Sequence, residues 1–495
     1  MSEAQQSLLF EPSFNRAIKV KSRDQRLSSD AGALLLREAD HRLGLTASLV
    51  SRLHDPRRPD KIRYLQVELL RERIYALALG YSAADDLDLL AHDPVVKAAV
   101  WDRPGDQVLH ERLGSQPTSS RLLNVLSWKG NLEALRDALC DGVERHLRAA
   151  GRHARVLRGT VDVDGLPVYT HGSQAGSAFN GYYGEKVYYP FVASFSPEGD
   201  YDATRIGAGV VHAMLRGGRA GPAEGGLRFI LNAVKKCARL ARVVDVRMDA
   251  AFAIGKIMDP LKAAGVRFVS RLKTNSVLDA LARPHVSRPP GRSPSEDYEG
   301  ALELGWHQAD TWTFPQRLVL VVVDKPDPKT GQLELFPRYF FLVTTWQKDE
   351  KSAEELLAHY RRRGTFEDRF GEYNEAIGGH LPSPEFAPNE ASFLLYLLAM
   401  NLASMLRLEL EASTGNGWDL KRMQRSVLRA GARVITAGRR IWIDLAAAVA
   451  PLWRFLLQRL RRWRLPEAST LPSGPRKRAW IPPPPHAHRS AVLRR

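Results

Sequence analysis

The chain has 495 residues, 44% hydrophobic and 26% charged, which is long enough for about two to four domains with a sizeable core and typical of a soluble protein. Its two cysteines, Cys140 and Cys237, build neither a disulfide framework nor a zinc site, and the 14 histidines show no metal-ligand spacing. The net charge of +17 is localised: from Lys421 to Arg495 there are 18 Lys and Arg against Asp444 and Glu467, which leaves the other residues near neutral.

A basic C-terminal segment on a near-neutral body is an electrostatic footprint for a polyanion, nucleic acid first, or else a solubilising tail. No apolar stretch opens the first twenty residues. The longest apolar run, Ala391 to Leu408, carries Ser392, Asn401, Ser404 and Arg407, so it reads as a buried helix rather than a membrane span. A reducing cytoplasm fits, and with the basic segment a nucleoid-associated location.

In chain order, residues 1–27 are polar and expected to be flexible. Helical patterning follows over 30–43, 61–80, 83–91 and 118–149, with room for a helix-turn-helix. Ser115-Gln116-Pro117-Thr118 reads as a turn, an N-cap and a helix start. At Val156 the texture changes. Strands are expected at Val156–Val163, Lys186–Ser196, Val243–Met248 and Val266–Leu272, with helices over 222–241 and 254–264. This is a mixed α/β pattern. The loop Arg216-Gly217-Gly218-Arg219-Ala220-Gly221 lacks the Lys-Ser/Thr of a P-loop and reads as a plain loop. After a Pro-, Ser- and Arg-rich stretch, strands at 301–314, 317–324 and 337–346 suggest a small antiparallel insert. Helix is then expected from Ser352 to about Ala376, from Ala391 to Leu410, and near 444–464. The tail from 466, with Pro482 to Pro485, is expected to be disordered.

Three groups of residues carry chemistry. Asp162 and Asp164 alternate with Val161 and Val163, so on a strand both aspartates face one side. Aspartate is unfavourable inside a strand unless a cation offsets its desolvation, although a strand end in water would also hold it. Asp249 closes a second strand before Ala250-Ala251-Phe252, where it can project from the sheet's carboxyl edge or cap a helix. The third group is Tyr360 to Asn374. Taken as one helix at 100° per residue from Tyr360, Arg363 falls at about −60°, Glu367 at about −20° and Asn374 at about −40°, one narrow stripe. Asp368 and Glu372 lie elsewhere, at roughly +80° and +120°. Gly364 and Gly371 leave room beside the stripe. Three carboxylates from two strands and a helix suit two Mg²⁺ ions and in-line phosphoryl displacement by water or a DNA 3′-hydroxyl.

At these residues the sequence resembles the bacterial insertion-sequence DDE transposases whose third acid lies in Tyr-x2-Arg-x3-Glu-x6-Lys. Tyr360, Arg363 and Glu367 match, and the closing Lys is Asn374 here. Val161-Asp162-Val163-Asp164-Gly165 is similar to the family's first catalytic strand and points to Asp164 over Asp162. Arg247-Met248-Asp249-Ala250-Ala251-Phe252 looks like its second. Thr170-His171-Gly172, Phe179-Asn180-Gly181-Tyr182-Tyr183-Gly184, Leu215-Arg216-Gly217-Gly218 and Ser115 to Arg121 are supporting matches; Leu166, where Thr is usual, departs.

The resemblance implies an α/β, RNase H-like mixed sheet with flanking helices, a β-rich insert before the last catalytic helix, and an all-α N-terminal domain. The implied division is a helical DNA-binding domain at 28–155, a catalytic domain at 156–275 and 347–410, an insert at 276–346, and a basic region at 411–465 before the tail. Asp164, Asp249 and Glu367 are the implied catalytic and metal-binding acids, for two Mg²⁺ ions with Mn²⁺ as a substitute. Tyr360, Arg363 and Asn374 are the implied DNA contacts. The implied partners are terminal inverted repeats and target DNA, bound by a homodimer, and the activity is cut-and-paste transposition. A structure-selective nuclease and a catalytically silent DNA-binding descendant are the alternatives. Trp306, Trp312 and Trp346 in the insert could stack on an unpaired base, or simply pack in the core.

Overall fold

The computed structural model describes residues 8–15, 17–21, 25–152, 156–198, 207–286, 298–326, 331 and 336–463; within the last span, the side chains of 365–367 are outside the description. The proline-rich tail therefore lies outside the described residues.

One eight-stranded mixed sheet organises the molecule. Its strands are β1 (Arg158–Gly165), β2 (Phe191–Glu198), β3 (Gly209–Met214), β4 (Val243–Met248), β5 (Phe268–Leu272), β6 (Tyr298–His307), β7 (Gln316–Asp324) and β8 (Arg338–Thr344). Their spatial order is β6-β7-β8-β5-β4-β1-β2-β3. The first three form an antiparallel meander, while β4 runs parallel to both β1 and β5. This mixed α/β arrangement is compatible with an RNase H-like core.

The strands of the expected insert are antiparallel to one another, but they do not stand apart. β8 pairs antiparallel with β5, so the insert extends the main sheet. The residues explain why: β7 reads Arg-Leu-Val-Leu-Val-Val-Val and is buried on both faces, which calls for cover on each side. β3 went unpredicted; Val210 to Ala213 is a short run with no alternation to mark it.

Helices pack on this sheet and on one another. The described helices that matter most are α1 (Ala33–Leu43), α2 (Gln66–Leu79), α3 (Gln116–Leu126), α4 (Lys129–Ala149), α5 (Gly226–Cys237), α6 (Gly255–Ala263), α7 (Ala353–Arg361), α8 (Gly364–Ala376), α9 (Phe386–Thr414) and α10 (Ala450–Arg462). The expected 118–149 helix is two, broken at Ser127–Trp128. Near the C-terminus the helix begins at Ala450 rather than 444, because Arg440–Leu445 pairs as a strand with Ala432–Ala437. Alternating burial along 440–445, typical of a half-covered strand, is the period that a helical reading overlooks.

α9 is the long apolar run, and it is long and apolar enough to cross a bilayer; its most apolar window is 94% buried inside the fold, as in a core helix. The N-terminal helices share one hydrophobic core with it. Its polar residues are used. Asn401 accepts from Val210 N (2.9 Å) and donates to Val210 O (2.8 Å), pairing the exposed edge of β3 as another strand would. Glu390 accepts from Leu215 N at 3.2 Å and from Arg136 of α4 at 2.7 Å.

Candidate active site

β1 and β4 are parallel neighbours, with Val163 opposite Met248. The next residue on each is an aspartate, so Asp164 and Asp249 emerge side by side at the same carboxyl edge of the sheet. Both are half-buried. Asp249 sits at the N-cap position of the 3-10 turn Ala250–Phe252 but makes no capping hydrogen bond with its side chain, so the N-cap alternative does not account for it. Ser270 of β5 donates to its carbonyl at 3.0 Å, fixing the main chain there.

Asp162 faces the same side as Asp164, as strand alternation requires, but it is engaged elsewhere. It is buried, and Arg247 grips it with Nε to Oδ1 and Nη2 to Oδ2, both 2.7 Å. Asp164 accepts from Gly165 N at 2.8 Å and pairs with Arg363 Nη2 at 2.5 Å.

Tyr189 packs against Gly165, the residue after Asp164. Burial first, and then the negative charges of Asp164 and Asp249, push its phenol above the ordinary tyrosine range. The close packing needs glycine: a Cβ at Gly165 would meet the Tyr189 ring at 2.8 Å. Tyr189 donates its N–H to Arg216 O at 3.1 Å, and the Arg216 guanidinium lies 3.6 Å from the Phe191 ring centroid. Burial lowers the Arg216 pKa. The glycine-rich loop thus borders the candidate site. At Gly218 a Cβ would stand 2.1 Å from Val187 O, so the loop needs glycine to lie against the small sheet of Val168–Tyr169, Ala178–Asn180 and Glu185–Tyr188.

The third expected acid comes from the helical segment after β8. The single helix expected over 352–376 is two. α7 ends at Arg361, Arg362 and Arg363 form a turn, and α8 starts at Gly364. The N–H of Arg363 bonds to Tyr360 O at 2.9 Å, three residues back instead of four, which tightens the chain at that point. Helical arithmetic therefore holds within each helix but not across the join. Arg363 is buried against Asp164. Tyr360 is half-buried against the cluster of Val269, Leu342 and Trp346. Asn374 is exposed.

Glu367 is the fourth residue of α8, one turn beyond Arg363, and its side chain lies outside the described residues. Its acidic neighbours are placed: Asp368 is exposed, and Glu372 accepts from Arg407 of α9 at 2.6 Å. An added Cβ at Gly364 or Gly371 would meet nothing within 4 Å, so both glycines leave open space on α8.

The structure thus brings together Asp164, Asp249 and Arg363, with Asn374 and Tyr360 farther along the helices. Sequence reasoning passes over Tyr189 and gives Arg216 and Arg247 no role beyond membership of the Leu215–Gly218 and Arg247–Phe252 segments. Gly165 and the repeated tyrosines of 182–189 were the available signals. Of the three tryptophans, Trp312 and Trp346 are core residues, whereas Trp306 is 52% exposed with Lys262 Nζ 5.3 Å from its ring centroid.

Hard carboxylate oxygens at the ends of two parallel strands suit a hard divalent cation. Among the described residues no group of three His, Cys, Asp or Glu side chains is close enough to hold one. Asp164 and Asp249 supply two such donors, and the Glu367 side chain is outside that comparison.

The family model of the transposase DDE domain, group 1, matches residues 10–465. No curated protein matches the chain in sequence.

Proposed function

The chain belongs to the transposase DDE domain family, group 1, and so is a transposase of mobile DNA; from that premise we propose that it cuts the ends of its own element and joins them to target DNA, on an RNase H-like core. The observation that carries this reading is the juxtaposition of Asp164 and Asp249 on adjacent parallel strands, with Arg363, one turn before Glu367, drawn onto Asp164.

The carboxylates of Asp164, Asp249 and Glu367 would hold two divalent cations, Mg²⁺ or Mn²⁺, whose contribution when bound is nucleophile activation and charge stabilisation in an in-line displacement at phosphorus. The protein's own side chains orient the DNA. Arg363 is placed to exchange its carboxylate partner for a phosphate oxygen, a charge-assisted contact suited to its planar guanidinium. Tyr189 and Arg216 wall the site and limit water around the scissile phosphate. Tyr360 and Asn374 extend the DNA contact along the two helices. Asn374 offers a hydrogen bond where a lysine would add charge. Trp306 is the one insert tryptophan exposed enough to stack on a base.

The N-terminal helices would read the terminal inverted repeats, and the basic region around α10 would add phosphate contacts. Two ends must be held together for joining, so a homodimer on DNA is the expected assembly.

The test is a donor DNA carrying the flanking repeats, incubated with the protein, Mg²⁺ and a target plasmid. Excised element and joined product are expected. Cleavage with no joined product would instead identify a structure-selective nuclease, and tight binding with no cleavage would identify a silent DNA-binding descendant.

A further inference from the structure

We infer that Arg247 is a positioning residue that sets the relative placement of all three acid-bearing segments through one buried guanidinium. The inference rests on the proposed assignment of Asp164, Asp249 and Glu367. Arg247 lies on β4 two residues before Asp249, and directly opposite Asp162 in the parallel register; Asp162 lies on β1 two residues before Asp164. Two of its nitrogens hold both Asp162 oxygens at 2.7 Å. The third, Nη1, donates to the carbonyl of His359 in the last turn of α7 at 2.6 Å.

That carbonyl is the one the Arg363 N–H would take in an unbroken helix. Because Arg363 turns to Tyr360 instead, the end of α7 presents a backbone acceptor inside the protein, and Arg247 supplies its donor. The guanidinium thus fixes the point where α8, carrying Glu367, departs. One planar group spans two strands and a helix end, a geometry that lysine's point charge does not reproduce. The pair is buried, with 4% and 3% of the two side chains exposed. Buried ion pairs are poor sources of stability and can serve instead to specify one arrangement. Arg247 bonds to Asp162 and the His359 carbonyl and acts through the segments that carry the three acids, so the effect of a contact made directly to a metal ligand, about 10- to 100-fold, is its upper scale.

The experiment replaces the pair by apolar residues, Arg247→Met with Asp162→Leu, in the full chain. Mn²⁺ binding to the protein alone is read by calorimetry, together with thermal unfolding, DNA mobility shift and end cleavage. The expected result is a folded protein with unchanged DNA affinity, Mn²⁺ affinity lowered by about 10-fold, and the Mg²⁺ concentration for half-maximal cleavage raised in parallel. A folded double variant with wild-type Mn²⁺ affinity and wild-type metal dependence overturns the inference.

Should the double variant not fold, Asp162→Asn and Arg247→Lys carry the test, each expected to weaken Mn²⁺ binding in a folded protein and each refuting the clamp if it does not. Asp164→Asn separates the two readings. If it leaves Mn²⁺ binding intact, the metal site is wrong and the clamp falls with it. If it abolishes Mn²⁺ binding while the clamp variants do not, the clamp alone is refuted.

Discussion

Glu409→Gln probes how the basic C-terminal helix is anchored. Glu409 of α9 is buried and accepts from Arg459 Nε of α10 at 2.6 Å and from Trp463 Nε1 at 3.0 Å, with His146 Nε2 at 3.6 Å. Burial would raise its carboxyl, but the neighbouring His146 ring and the Arg459 guanidinium draw it down to about 2. Against its ordinary value of 4.5, that shift corresponds to at most about 3 kcal/mol of stability.

Breaking a buried ion pair by removing one partner costs about 3–5 kcal/mol, and because Arg459 is partly exposed and can turn to solvent, the lower end, about 3 kcal/mol, is expected. The sign follows from a depressed carboxylate: its contribution is present above pH 4.5 and is lost as pH falls towards 2. Urea unfolding of wild type and variant, followed by tryptophan fluorescence at several pH values, should therefore show a large gap at pH 7 that narrows as pH falls below 4.5. Because α10 carries Arg454, Arg459, Arg461 and Arg462, the variant should also bind DNA more weakly at moderate salt. A gap at pH 7 under about 1 kcal/mol, the size of an ordinary surface ion pair, or a gap unchanged in acid, would refute the anchoring role.

Gly165→Ala drives a Cβ into the Tyr189 ring and, by the usual size of overpacking, should cost about 1–3 kcal/mol and slow end cleavage while the mobility shift of repeat DNA is kept; wild-type cleavage rates would contradict the close packing of Tyr189 at the site. His212 of β3 stacks on Phe229 at 4.7 Å, and burial, with Lys236 and Arg136 nearby, lowers its pKa to about 3. Its contribution is complete above pH 6.5 and is lost as pH falls towards 3, about 2 kcal/mol by pH 5, so His212→Leu should lose less stability than wild type between pH 7.5 and 5 in thermal unfolding. Removal of divalent ions with a chelator should stop cleavage, and either Mg²⁺ or Mn²⁺ should restore it.

The placement of the candidate aspartates can be read from sequence because strand alternation and a strand-end acid are local signals. Asp162, Asp164 and Asp249 are placed by period and position alone, and the structure then separates Asp162, held by Arg247, from Asp164. The helical stripe was legible only in part. No Pro or β-branched run marks the join at Arg362–Arg363, where the backbone stays in the right-handed helical region, with ψ −10° at Arg362. The break shows instead in a hydrogen bond three residues back and in an acceptor taken by a distant arginine. Such a partner, 112 residues away in the chain, leaves no local trace. The same holds for Asn401, which reads as a polar interruption in an apolar run and turns out to complete the edge of β3.

The most direct test of the central claim is end cleavage by Glu367→Gln, measured beside the mobility shift of the same preparation. The amide keeps the shape of the side chain and removes its charge. The expected result is no cleavage with DNA binding at the wild-type level. Normal cleavage by Glu367→Gln would contradict the assignment of the third acid, and with it the catalytic site as drawn.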